Sequence, residues 1–191
     1  MTLPPKRTLR RSLKAARAAL TPERRAPLEA RVAAHLRSWI LDPGTTVAVY
    51  AALPAELSLD DWIESPGAAL RFAYPRVTGP SLTFSEVSRE SLVPGAKGIL
   101  EPNSDAALTP LTSIDAFMVP GLGFTPDGRR LGYGGGFYDR ILADHPRALR
   151  IGVAFELQVV PEIPIEPHDA QMDGVVTERG WRWVRRELPR P

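Results

Sequence analysis

The chain has 191 residues, of which 43% are hydrophobic and 24% charged, enough for one sizeable core and ordinary for a soluble globular domain. It contains no Cys, which excludes disulfides, Cys-ligated metal sites and a thiol nucleophile and fits a reducing cytoplasm, and no apolar run suggests a membrane anchor or secretory signal. The net charge of +2 is uneven: residues 1–37 hold ten Lys/Arg against Glu23 and Glu29, a local +8, which leaves −6 for the remainder.

In chain order, the first predicted element is a helix on which Leu9, Leu13, Ala16 and Leu20 form a narrow apolar stripe. Such a helix docks on a body. Lys6, Arg10, Lys14 and Arg17 flank the stripe, and the basic segment has three readings: a solvated face, a nucleic-acid or targeting arm, or a phosphate-binding element folded back onto the body. Thr21-Pro22-Glu23 has the form of an N-cap with Pro at N1, but Pro27 would interrupt a helix begun there. The second helix is therefore expected to start near Pro27 and to run through Leu28, Val32, Leu36 and Ile40 to about Leu41.

Strand-like runs follow at 46–53, 70–75, 82–87, 116–122, 149–155 and 175–184, with short helices at 58–63 and 137–145, the latter ended by Pro146. The runs at 46–53 and 116–119 are continuously apolar, as expected of strands covered on both faces. These elements imply one domain over residues 1–191 with an α/β fold, a three-layer arrangement of a mostly parallel central sheet with helices on both faces and the N-terminal helix docked on it. Ligands of such a Rossmann-like sheet lie at the carboxyl ends of its strands.

The segment RRLGYGGGFYDRILADH (129–145) joins four glycines in five positions to a helix start. Glycines gather where the backbone turns to positive φ or where a ligand approaches it closely, and a helix N-terminus favours an anion. The spacing is neither a Walker A loop nor a dinucleotide fingerprint, and alone it is equally a tight turn feeding a helix. Arg129, Arg130 and Arg140 bracket the loop, and Asp139 in the first helical turn could hold Mg2+ beside a polyphosphate or simply favour the helix dipole.

Taken with these features, VPGLGFTPDGRRLGYGGGFYDRIL (119–142) closely resembles the signature of the 5-formyltetrahydrofolate cyclo-ligase (5,10-methenyltetrahydrofolate synthetase) family. The resemblance extends to KRTLR (6–10), Tyr50 to Glu56, YPRV (74–77), GILEP (98–102) and FELQVVPEIPIEPHDAQMDGVVTE (155–178). It implies a fold of the sugar-phosphate isomerase and CoA-transferase type, and an ATP- and Mg2+-dependent cyclisation of a reduced folate. ATP contacts are implied at Lys6, Arg7, Thr8, Leu9 and Arg10, and at Arg130, Leu131, Gly132, Tyr133, Gly134, Gly135, Gly136, Phe137 and Tyr138. Substrate contacts are implied at Ala51, Glu56 and residues 133–137, and metal ligands at Asp139 and Asp169.

Relatives differ inside the loop, some having Lys or Arg where this chain has Tyr133 and Gly135, which leaves Lys6 and Arg10 with more of the charge compensation. His168 is expected to orient its loop rather than to titrate in catalysis, and no Ser, Cys or His nucleophile is required. The implied partners are ATP and a reduced folate, without nucleic acid or membrane, acting on a monomer in the cytoplasm. A sugar-phosphate isomerase or CoA-transferase-like enzyme, or a phosphate- or nucleic-acid-binding module, are the alternatives. ATP dependence separates the first, and a salt titration of oligonucleotide binding the second.

Overall fold

A computed structural model describes residues 3–39, 41–95 and 98–184 of the chain. Helix α1 spans Lys6–Ala18 and α2 Pro22–Arg37. Then follow β1 (Thr46–Ala48), α3 (Asp60–Glu64), β2 (Arg71–Thr78), β3 (Ser81–Glu86), β4 (Val93–Pro94), β5 (Leu100–Glu101), β6 (Ala116–Pro120) and the short hairpin β7 (Gly123–Phe124) and β8 (Arg130–Leu131). Helix α4 (Phe137–Asp144), β9 (Leu149–Val153), β10 (Gly174–Thr177) and β11 (Gly180–Trp183) complete the fold.

Seven strands form the central sheet in the order β11-β10-β9-β6-β1-β2-β3. The neighbours from β10 to β2 are parallel, and β11 and β3 close the two edges antiparallel. The expected mostly parallel α/β fold is therefore present. Side-chain alternation along the inner strands explains the three layers. Val47, Met118, Ile151 and Val176 face one core with Val32 and Leu36 of α2, whereas Ala48, Phe117, Val119 and Val175 face a second core with Ile141 and Leu142 of α4. Both faces of the sheet are covered, and in the central strands β1, β6 and β10 the only polar residues are Thr46 and Thr177.

Several expected boundaries shift for identifiable reasons. Helix α2 begins at Pro22 with Thr21 as N-cap and passes through Pro27. Pro27 lies in the second turn, where the hydrogen bond it forgoes would go to the carbonyl of Glu23, and both residues are exposed, so water can satisfy that carbonyl. The helix stops at Arg37 rather than at Leu41, and Ile40 lies outside the described residues. The run 46–53 is paired only to Ala48, although Val49, Tyr50 and Ala51 remain buried. Val49 still donates to the Ala73 carbonyl and packs in the core, whereas Tyr50 and Ala51 lie past the paired segment at the floor of a cleft.

The run 175–184 is two antiparallel strands folded at Glu178 and Arg179, so its single-strand reading is corrected. Helix α1 docks through Leu9 and Leu13 against Leu131, Val160 and Ile163. Its stripe continues into buried Arg17, however, while Ala16 is exposed. Among the described residues no helix is long and apolar enough to cross a membrane.

Candidate active site

From β1 the chain moves to β2 on one side of the sheet, whereas β6, β9 and β10 follow on the other. The carboxyl ends of β1 and β6 therefore flank the point where the winding reverses, where a crevice forms in open α/β sheets. A cleft of about 380 Å³ opens there. Tyr50 and Ala51 after β1, Glu56 in the following loop, and Pro120 at the end of β6 form its floor and side. Pro75, Val77 and Leu82 from β2 and β3, with Leu53 and Ile99, supply an apolar wall.

The opposite lining is charged and glycine-rich. The β7–β8 hairpin carries the chain from β6 to Arg130 and so delivers Gly132–Gly136 to the mouth of α4. Gly134 has φ +100 and Gly136, the N-cap of α4, has φ +66, while Gly132 and Gly135 do not adopt positive φ. The positive-φ requirement thus falls on two of the four glycines. Gly136 offers no side chain to cap α4, whose first turn carries Asp139.

Each cation around the loop already holds an oxygen. Lys6 Nζ donates to Asp169 Oδ2 at 2.7 Å and lies 3.3 Å from Glu166 Oε1. Arg10 Nε donates to the Gly132 carbonyl at 2.9 Å, which draws α1 onto the glycine loop. Arg130, 8% exposed, donates through Nη2 to Asp139 Oδ1 at 2.7 Å, and the Ala170 N–H donates to the same oxygen at 3.3 Å. Burial opposes ionisation of Asp169, but the Lys6 ammonium, the Glu166 N–H and the neighbouring His168 outweigh it and hold its carboxyl below the usual range.

A third network lies deeper. The Tyr133 hydroxyl donates to Glu56 Oε1 and accepts from Arg17 Nη2 at 2.8 Å. Glu56 Oε2 accepts from the Leu53 N–H at 2.8 Å. Burial, reinforced by the Glu56 carboxylate, pushes the Tyr133 and Tyr138 hydroxyls far above the ordinary phenol range, so both are neutral groups at physiological pH. The buried Tyr50 hydroxyl is raised by the same two causes and donates to the Leu57 carbonyl at 2.9 Å.

Of the residues singled out in the sequence, Lys6, Arg10, Ala51, Glu56, Asp139, Asp169 and the whole stretch 130–138 line this one cleft. Arg7, Thr8 and Leu9 do not: Arg7 and Thr8 are exposed, and Leu9 packs beneath α1 in the small cluster around Leu13. Within α1 the basic residues divide, Lys6, Arg10 and Arg17 turning inward while Arg7, Arg11 and Lys14 are solvated.

The carboxylates near Lys6 are hard oxygen donors, which suit Mg2+. Glu166, His168 and Asp169 bring one potential ligand atom each within 4.8 Å of one another, a group that does not include Asp139. The donor chemistry fits a divalent cation, and Lys6 and Arg130 would have to yield their carboxylates to it.

Sequence reading left Arg17 on the flank of the stripe without assigning it to the site, and it did not single out Glu101 or Glu166. Arg17 lies four residues after Leu13, as permissible a helical step as the Ala16 chosen from the pattern. Glu101, 3% exposed, lines the cleft from the GILEP block, and its Oε1 has no hydrogen-bond partner.

Residues 3–178 match the model of the 5-formyltetrahydrofolate cyclo-ligase family. The chain is 33% identical over 177 residues to the 5-formyltetrahydrofolate cyclo-ligase of Escherichia coli strain K12, covering 87% of this chain and 97% of that one. It is 31% identical to the enzyme of the same name from Mycolicibacterium smegmatis, covering 88% and 95% of the two chains. A solution structure of Aquifex aeolicus 5,10-methenyltetrahydrofolate synthetase superposes with a TM-score of 0.82 at 31% identity, over 96% of this chain and 94% of that one.

Proposed function

This chain belongs to the 5-formyltetrahydrofolate cyclo-ligase family, and from that membership we propose that its cleft cyclises 5-formyltetrahydrofolate to 5,10-methenyltetrahydrofolate at the expense of ATP. The observation that carries the reading is the composition of a single cleft. One lining is a glycine loop with Lys6, Arg10 and Arg130, suited to a triphosphate, and the other is an apolar wall beside Glu56, suited to a flat heterocycle with N–H donors.

In this reading the backbone of Gly132–Gly136 and the three cations take the phosphates, exchanging their present carboxylate and carbonyl partners for phosphate oxygens. Tyr133 and Phe137 serve both ligands, because both belong to the loop and face the cleft. Ala51 allows close approach, and Glu56 accepts from the pterin. Asp139 and Asp169 would hold Mg2+, which when bound supplies charge compensation for the phosphoryl oxygens.

The formyl oxygen attacks the γ-phosphorus, the bond to the bridging oxygen breaks, and ADP leaves. The resulting imidoyl phosphate has an activated carbon that N10 attacks. The C–O bond to phosphate then breaks, and N10 gives up its proton as the methenyl bridge forms. An amide oxygen is a weak nucleophile, so the protein's contribution is alignment of the two substrates and preorganised positive charge rather than a covalent nucleophile. That accords with a cleft lined by Lys, Arg and backbone N–H groups and with the absence of Cys from the chain.

The test mixes the protein with 5-formyltetrahydrofolate, ATP and Mg2+ and follows the near-UV absorbance of the methenyl product. Product formation that requires both ATP and Mg2+ supports the reading. Product formed equally without ATP, or none under any of these conditions, rejects it.

A further inference from the structure

Arg17 occupies an expensive position for a docking residue. Its side chain is 6% exposed, on a helix already anchored by Leu9 and Leu13, and its Nε has no hydrogen-bond partner. A buried guanidinium is seldom the most stable way to fill such a place, since an apolar side chain of similar volume docks a helix without the desolvation penalty. What Arg17 reaches is specific. Nη1 lies 3.8 Å from Glu56 Oε1 and 3.4 Å from the Gly121 carbonyl, Nη2 donates to the Tyr133 hydroxyl, and the guanidinium stands 5.7 Å from the centre of the Tyr133 ring.

Among the described residues Arg17 is the sole cation within ion-pair distance of Glu56. It also decides how the Tyr133 hydroxyl is used. A phenol has one proton to donate, and with Arg17 donating to the oxygen, that proton goes to Glu56. Both oxygens of Glu56 are thereby fixed, one by Tyr133 and one by the Leu53 N–H.

We propose that Arg17 is a positioning residue for folate recognition: its guanidinium compensates the Glu56 carboxylate and orients the Tyr133 hydroxyl, so that Glu56 presents a fixed acceptor to the pterin. The proposal rests on the reading of Glu56 as a folate contact. It assigns one basic residue of α1 to the folate, whereas Lys6 and Arg10 of the same helix serve the nucleotide.

The experiment measures calorimetric affinities for 5-formyltetrahydrofolate and, separately, for Mg-ATP, together with melting temperature, on Arg17→Met, Arg17→Lys, Glu56→Gln and the double variant Arg17→Met/Glu56→Gln. Arg17→Met should weaken folate binding about tenfold or more, as expected when one member of a buried charge pair is removed. Arg17→Lys should restore most of that loss, ATP affinity should hold, and in the Glu56→Gln background Arg17→Met should add nothing further.

Equal losses for folate and ATP that track a fall in melting temperature would show that Arg17 only docks α1. An undiminished effect of Arg17→Met on folate in the Glu56→Gln background would show that it does not act through Glu56. Should Arg17→Met fail to fold, the same cycle is run with Arg17→Gln, whose amide can still donate but carries no charge and should weaken folate binding only while Glu56 is present. Unchanged folate affinity in Glu56→Gln alone would remove the premise, and with it this proposal, while leaving the ATP-dependent cyclisation to stand or fall on the absorbance assay.

Discussion

Asp139→Asn separates two roles that the site combines in one carboxylate. In the free protein Asp139 Oδ1 accepts from Arg130 Nη2 at 2.7 Å, with side-chain exposures of 17% and 5% for the two partners. Asn keeps an oxygen in place but removes the charge. A charge-assisted hydrogen bond is about twice as strong as a neutral one, so about 1–1.5 kcal/mol is lost at that contact. Arg130 then keeps the Asn oxygen, the Pro120 carbonyl at 3.3 Å and the Tyr138 ring, with the guanidinium 5.7 Å from the ring centre, but no counter-charge, and its buried charge raises the total cost to about 2 kcal/mol.

For a chain of this length that corresponds to a melting-temperature decrease of roughly 4–8 °C. Scanning calorimetry measures it directly. If Asp139 also holds Mg2+, turnover in the methenyl absorbance assay falls much further than stability, and excess Mg2+ recovers part of it. Normal turnover at limiting Mg2+ would refute the metal role and leave Asp139 as an anchor for Arg130. An unchanged melting temperature would refute the energetic account of the pair.

Lys6→Ala and Arg10→Ala should each raise the KM for ATP more than that for folate, by a loss of about 1.5–3 kcal/mol per charge-assisted contact; equal effects on both substrates would contradict the assignment. Gly134→Ala has room, its nearest neighbour being the Arg10 guanidinium carbon at 3.7 Å, but φ +100 strains any side chain, so calorimetry should show about 1–3 kcal/mol of destabilisation. Because the Asp169 carboxyl is held below its ordinary range, its contribution is complete above the unfolded-state value and is lost as pH falls through the lower folded one. Stability should therefore decline with acid below about pH 4, and Asp169→Asn should flatten that decline in a melting-temperature series against pH.

The parts of this fold that are legible in the sequence are those where one physical cause dominates. Strands covered on both faces, such as Ala116–Pro120, read directly as apolar runs, and the glycine loop announces itself because Gly134 and Gly136 adopt conformations that disfavour a side chain. Where two causes compete, the reading fails. Pro27 signals a helix boundary by local sterics, yet α2 tolerates it because Glu23 and Pro27 are both exposed and water can satisfy the carbonyl that loses its partner. Tyr50 and Ala51 share the composition of a strand but lie past its paired segment, packed in the core at the floor of the cleft.

At the candidate site, cleft lining by Lys6, Glu56, Asp139 and Asp169 was anticipated from family motifs rather than from spacing. Arg17 was hidden by helical geometry, since positions 16 and 17 both neighbour Leu13, and only tertiary contact distinguishes them. Glu101 gave no local sign at all, because a carboxylate buried 3% exposed at a two-residue strand looks in sequence like any surface Glu.

The bond from Lys6 to Asp169 spans 163 positions of chain, and Leu13 rests on Leu131 and Ile163. Translation proceeds at about 5–20 residues per second, so α1 emerges before, and waits many seconds for, the surface it docks on. During that interval the 13-residue segment carries an uncovered apolar stripe and is too short to be a stable helix on its own. The cleft is complete only when residue 169 has left the ribosome, and the Lys6–Asp169 bond has the longest chain separation of the side-chain hydrogen bonds among the described residues. A nascent or truncated chain ending before residue 163 would therefore possess the glycine loop and most of the sheet while lacking the organised cation cluster at its rim.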